Sequence, residues 1–256
     1  MTAPDPSKKL HALLKKVRAG VEATPVDPAI ESCPEAADRL LWQLVFSFLT
    51  WEASTARALQ AIKRLHASVV DYNEMRVCLS DELAAIIGDR YPRAVERAAR
   101  LRSALNDLYK REHAVTLAPV SAMGKREARV YLESLEGAPS FVTARLVLLS
   151  LGGHAFPLDD RTFASLAEEG AIPADLDLAG ASAWLERQFR AGEATEPYLL
   201  LEHWMTDRPL PRTPTRKAPP APAPEPVHRP AEPRPVRKAA ATAERKRTTG
   251  RKAAKD

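Results

Sequence analysis

The chain has 256 residues, enough for one or two domains with a sizeable apolar core, and a formal net charge of +5. No apolar run reaches the length of a membrane span, and the N-terminus MTAPDPSKKL lacks the apolar centre of a secretory signal. The expectation is therefore a cytoplasmic protein without a membrane partner. Cys33 and Cys78 lie far apart and the six histidines show no ligand spacing, which excludes a disulfide framework and predicts neither a metal site nor a cofactor.

In chain order, Leu10, Leu13, Leu14 and Val17 predict a short amphipathic helix whose other face carries Lys8, Lys9, Lys15, Lys16 and Arg18. After a proline-containing loop, Pro34-Glu35 opens a predicted helix that buries Leu40, Leu41, Leu44, Val45, Phe48 and Leu49 on one side and ends near Trp51. Ala58, Leu59, Ile62 and Leu65 mark the next helix, and Ser80 is the expected cap of another with Leu83, Ile86 and Ile87. A turn, Gly88-Asp89-Arg90-Tyr91-Pro92-Arg93-Ala94, leads into a long helix with Val95, Ala98, Leu101, Leu105 and Leu108 at helical spacing.

The segment 131–166 reads as helix, tight turn, helix, short loop, helix. Tyr131, Leu132 and Leu135 share one face, Gly137-Ala138-Pro139-Ser140 interrupt it, and Thr143 to Leu151 form a nearly uniform apolar run that implies a buried helix. Gly152-Gly153 stop that helix, and Asp159 or Asp160 caps a third by accepting its unpaired first-turn N–H groups, with Phe163 and Leu166 on the inner face. Ala181, Trp184, Leu185 and Phe189 follow, then a helix opened by Thr195 with Pro197 in its first turn. No series of strands is legible, so the fold class is all-α, a helical bundle over residues 1–206 with its core at 33–170.

Residues 207–256 hold 14 Lys+Arg and 5 Asp+Glu, a net +9, which leaves 24 and 28, or −4, for residues 1–206. The same stretch holds 11 of the 22 prolines, and is expected to be a disordered tail. Its second half, from Arg234 to Lys255, has the composition of a polyanion-binding arm, with Arg245, Lys246, Arg247, Arg251 and Lys252 as candidate DNA contacts.

Leu135-Glu136-Gly137-Ala138, then Thr143-Ala144, then the apolar helix running to Asp159-Asp160, resemble the helix-hairpin-helix and aspartate segment of the DNA glycosylases related to endonuclease III. The resemblance covers roughly residues 35–170 and is closest in 131–166. It implies an endonuclease III-like helical bundle in which the N-terminal helix packs with the C-terminal ones as a second lobe. It also implies a hairpin whose backbone and helix N-terminus hold a DNA phosphate, making Gly137, Ala138, Ser140 and Thr143 candidate contacts. Finally, it implies an aspartate beside the extruded nucleotide. The family places apolar residues three and six positions after that aspartate, which selects Asp160, with Phe163 and Leu166, as the catalytic candidate and leaves Asp159 as its neighbour or cap.

Three departures narrow the chemistry. Val142 stands where bifunctional relatives carry the lysine that forms a Schiff base, and no cysteine follows Cys78 to hold the iron–sulfur cluster of many relatives. Leu49 falls in the place of the glutamine that enters the DNA near the flipped base, which makes Trp51 the stacking or wedging candidate. The expected partner is double-stranded DNA, bound by a monomer associated with the nucleoid. Monofunctional hydrolysis of a damaged base, a catalytically silent DNA-binding protein and a helical protein-interaction module all stay open at this level.

Overall fold

The computed structural model describes residues 5–208 except 36, 89 and 207; the tail candidates Arg245, Lys246, Arg247, Arg251 and Lys252 lie outside the described residues. Twelve α-helices follow one another: α1 (Pro6–Ala19), α2 (Pro28–Glu31), α3 (Arg39–Thr50), α4 (Thr55–Ser68), α5 (Tyr72–Val77), α6 (Ser80–Ile87), α7 (Ala94–Glu112), α8 (Lys125–Glu133), α9 (Ser140–Leu149), α10 (Asp160–Glu168), α11 (Leu178–Gln188) and α12 (Thr195–Thr206). A 3₁₀ turn, Ala118–Ala122, precedes α8. The described residues contain no strand, and none of their helices is long and apolar enough to cross a membrane.

These helices enclose two apolar cores. The first gathers α2 to α9 around Leu44, Phe46, Phe48, Ile62, Leu101, Leu105 and Leu146. The second joins Leu10 and Leu14 of α1 to Phe156, Leu166, Leu185, Tyr198 and Leu201, so the N-terminal helix does close a second lobe with the C-terminal ones. The division falls along α9 itself. Leu146 and Val147 belong to the first core and Leu148 to the second, which is why this helix is apolar on every side and why the expected core at 33–170 already contains the start of the second one.

A helix shared by two cores has no solvated face, yet α9 carries Arg145, 1% exposed. Its guanidinium is fully committed. It bonds Asp27 Oδ1 at 2.6 Å, Gln43 Oε1 at 3.2 Å, Ser47 Oγ at 3.3 Å and Glu202 Oε1 at 3.2 Å, and Tyr198 donates to the same Glu202 oxygen at 2.8 Å. Asp27 in turn caps α2 through the Ala29 amide and accepts from Gln43 Nε2 at 2.9 Å. One buried cation therefore ties the α2 entrance, α3 and α12 to α9, at a desolvation cost that only complete pairing offsets.

Two helix starts differ from the expectation. The helix expected from Pro34-Glu35 begins at Arg39, because Asp38 rather than a proline fixes its entrance: one carboxylate oxygen accepts from the Leu41 amide and the other from Thr116 Oγ1 and the Leu117 amide. Ser80 is the first helical residue of α6, not its cap; Glu82 reaches back to the Leu79 amide, and Ser80 Oγ accepts from Arg102. The helix α3 is also buried all round from Leu41 to Thr50 rather than on one side, being packed against α4, α9, α2 and α7.

Replacing Arg145 by Met removes the cation and strands Asp27 and Glu202 in a dry interior. Loss of one member of a buried ion pair costs about 3–5 kcal/mol. Chemical denaturation of Arg145→Met should show a midpoint lowered accordingly, whereas Arg18→Met, which breaks a half-exposed pair with Glu196, should move it by less than about 1 kcal/mol.

Candidate active site and nucleic-acid interface

The hairpin between α8 and α9 lies flat on α7. Gly137 has φ +79°, and a Cβ there would stand 2.9 Å from the Arg100 carbonyl oxygen and 2.9 Å from Ser103 Cβ, so only glycine lets the two backbones meet. Arg100 donates to the Gly137 carbonyl at 3.4 Å, and Asp107, paired with Arg111 at 2.6 Å, accepts from the Glu136 amide at 2.9 Å. The chain then enters α9 through Pro139, which supplies no side-chain cap. The amides of Ser140 and Phe141, at the first two positions, have no intrahelical partner and point out of the positive end of the helix beside the exposed Ser140.

A second constellation forms where α3 meets α10. Arg97 of α7, fully buried, donates to the carbonyls of Phe48, Trp51 and Pro92, and Tyr91 donates to the Leu49 carbonyl at 2.5 Å, so α7 and the turn before it cap the C-terminus of α3. Burial lowers the Arg97 guanidinium to about 10 and raises the Tyr91 phenol to about 12. The cap allows the chain to turn sharply at Glu52, which takes a left-handed φ of +55°.

Glu52 and the start of α10 then hold each other. The Glu52 amide donates to Asp159 Oδ2 at 2.9 Å, and the Asp160 amide donates to Glu52 Oε1 at 2.8 Å. Asp159 uses its other oxygen to cap α10 through the Thr162 amide at 2.8 Å. Asp160 is the first helical residue; its side chain is 44% exposed and faces Arg93 Nη2 at 3.7 Å. Three carboxylates thus crowd one corner, and burial, with the charges of Asp159 and Asp160, raises the Glu52 carboxyl to about 7 despite the opposing Arg93 charge.

Beside this corner lies a cavity of about 30 Å³ between Thr50, Phe141, Phe156, Asp159 and Tyr198. Asp159 lines it and Asp160 does not. It has room for about one water molecule.

Two solved structures share the fold of this chain. One is a trapped endonuclease III–DNA covalent intermediate in an estranged-adenine complex, with a TM-score of 0.56 and 12% identity over 76% of this chain and 84% of that one. The other is a thermostable thymine-DNA glycosylase, with a TM-score of 0.53 and 14% identity over 81% and 90%. The chain has the endonuclease III-like fold. No family model and no curated protein sequence matches it, and at these identities the likeness is one of architecture.

Within that fold the candidates separate. Gly137, Ala138 and Ser140 sit together at the open mouth of α9, whereas Thr143 is buried and donates its hydroxyl to the Ser140 carbonyl. Trp51 does not project as a wedge: it is 8% exposed, beneath the guanidinium groups of Arg93, Arg97 and Arg100 at 5.3, 5.5 and 5.6 Å. Val142 and Leu49 are fully buried. With only Cys33 and Cys78 in the sequence, a four-cysteine cluster has no ligand set.

The residues that sequence reasoning passes over are Glu52, Arg93, Arg97 and Arg145. Arg145 carried a signal, a charge inside an apolar helix; Glu52 carried none, because its role depends on a left-handed turn and a partner 107 residues away.

Glu52 has a measurable signature. Its folded pKa of about 7 lies above the ordinary 4.5, so the native state holds this proton more tightly than the unfolded chain. Stability contributed by the protonated form is present at acid pH and is lost as pH rises from about 4.5 through about 7. Glu52→Gln keeps the acceptor for the Asp160 amide and removes the charge. The variant should match the parent near pH 4 and exceed it at pH 8 by on the order of 3 kcal/mol, at 1.36 kcal/mol per pKa unit, in denaturant titrations at the two pH values.

Proposed function

We propose that this protein binds duplex DNA and uses its acidic corner for monofunctional hydrolysis of a base from deoxyribose. What carries the DNA reading is the hairpin: an endonuclease III-like fold in which Gly137 packs the hairpin backbone onto α7 and α9 opens uncapped beside an exposed serine. A helix N-terminus in that state accommodates a phosphate oxygen through amides alone. The cationic sequence 207–256 adds sequence-independent attraction for the same polyanion.

The chemistry follows from charge. Cleavage of a glycosidic bond places positive charge on the sugar, and a fixed carboxylate beneath it lowers the barrier and orients water. Asp160 has the exposed carboxylate, held at the start of α10 by the backbone bond from its amide to Glu52. Asp159 serves as the cap that fixes this start. Arg93 shields Asp160 until a phosphate competes for the guanidinium. No amine occupies the position of Val142, so a covalent imine has no nucleophile there.

A second reading, a DNA-binding protein without catalysis, draws support from one observation. The cavity lined by Asp159, about 30 Å³, is far smaller than the roughly 300–1,000 Å³ of ordinary small-molecule sites, so a base enters only if the two lobes part.

The test is incubation with duplexes carrying a panel of damaged and mismatched bases, followed by alkali to cut abasic sites. If Asp160 supplies the anion, at least one duplex is cleaved after alkali, and Asp160→Asn, which keeps the helix start but removes the charge, lowers the rate at least about 100-fold. Loss of activity in Asp159→Asn with retention in Asp160→Asn would move the anion to the cavity wall, and no cleavage on any duplex would leave the silent reading. Separately, borohydride should trap no protein–DNA adduct from an active reaction; a strong adduct would show that another amine has taken the lysine's role.

A further inference from the structure

The second lobe carries a groove whose lining includes neither the hairpin nor the carboxylates of the acidic corner. Helix α1 presents Lys9, Leu13 and Lys16 at spacings of four and three, which places them on one stripe, and α12 faces them with Trp204. With Val17 and Arg208 they enclose a volume of about 680 Å³, apolar on the floor and cationic on the rim. Its acidic wall residue, Glu169, is paired with Arg208, whose guanidinium also lies 3.9 Å over the Trp204 ring. Arg18 is matched by Glu196, which leaves Lys9 and Lys16 without an acidic partner among the described residues. Lys9 is seated by the backbone: Gly170, at φ +62°, ends α10, and a Cβ there would stand 2.5 Å from Lys9 Nζ.

We propose that this groove is a track for the phosphate backbone of duplex DNA, contacted outside the segment held by the hairpin. The proposal rests on the DNA-binding reading and extends it to a second surface. Lys9 and Lys16 are about 10 Å apart along the helix axis, far enough to reach two different phosphates of one strand. An apolar floor of Leu13, Val17 and Trp204 suits the sugar face between them. The occupant is a long polyanion rather than a short acidic peptide, because the sequence directly after Arg208 continues the same cationic character. Residues 209–256 contain 13 Lys+Arg and 4 Asp+Glu.

The experiment is a salt titration of affinity for one undamaged duplex, using the full chain in three forms: unaltered, Lys9→Gln with Lys16→Gln, and Lys8→Gln with Lys15→Gln. The last pair makes the same charge change on the same helix but outside the groove, and circular dichroism checks that all three keep their helices. Each phosphate contact contributes about 0.9 to the slope of log affinity against log salt, so the groove variant should show a slope shallower by about 1.8, and the Lys8/Lys15 variant a change below about 0.9. Equal slopes for the two variants, or no change in either, would overturn the groove while leaving DNA binding in place. An unaltered chain with no salt-dependent affinity for duplex would overturn both readings. Unchanged duplex binding together with loss of poly-glutamate binding in the groove variant would assign the surface to an acidic protein instead.

Discussion

The structure depends on the cation buried where its two cores meet. Helix α9 has to be apolar on all sides because one core ends and the other begins along it, and into that helix the sequence puts Arg145. A guanidinium without solvent is tolerable only when its donors are matched, and here the loop before α2, α3 and α12 each send a partner to it. The two lobes are thereby fixed to each other at the helix that also carries the hairpin. The orientation of the open α9 N-terminus is set from inside the molecule.

The same device recurs at smaller scale. Arg97 closes the C-terminus of α3, and Arg161, at the second position of α10, donates to the Met205 and Arg208 carbonyls at the end of α12. Both place a cation at the negative end of a helix dipole. Burial drives both guanidinium pKa values down, and nearby carboxylates, including Glu52 and Asp159, hold them up. Arginines and acids of the corner are therefore one electrostatic unit. Asp159 satisfies two backbone amides and neighbours Arg161; Glu52 is the member whose carboxyl burial and the crowding carboxylates push up.

The surfaces proposed for DNA contact and the carboxylate corner lie at different depths. The mouth of α9 and the groove of α1 and α12 are open surfaces, suited to a phosphate backbone. At the carboxylate corner Glu52 holds Asp159 and the Asp160 amide, the cavity on the Asp159 side admits about one water, and the Asp160 carboxylate stays exposed. A reaction on the Asp159 side must loosen that hold, whereas contact with the backbone requires no rearrangement.

Much of this was legible in the residues. Helical periodicity located α1, α4, α7 and α12; the glycines at 137 and 152–153 marked the hairpin and the stop; and the adjacent aspartates marked the start of α10. Those features are local, so the sequence by itself determined them: a turn needs a residue that accepts a positive φ, a helix start needs an acceptor, and a buried face needs apolar side chains at a fixed period. What spacing could not resolve was which side of a buried element meets what. Thr143 reads as a hairpin contact and Trp51 as a wedge, and both are interior, because a helix packed on every side offers no period to read. The tertiary structure alone decided that Glu52 joins Asp159, that Arg145 joins Asp27 to Glu202, and that the start of α3 waits for Asp38 to find Thr116 and Leu117. In each case the partner lies tens of residues away, and a buried charge or carboxylate takes its role from whichever distant group offsets its desolvation.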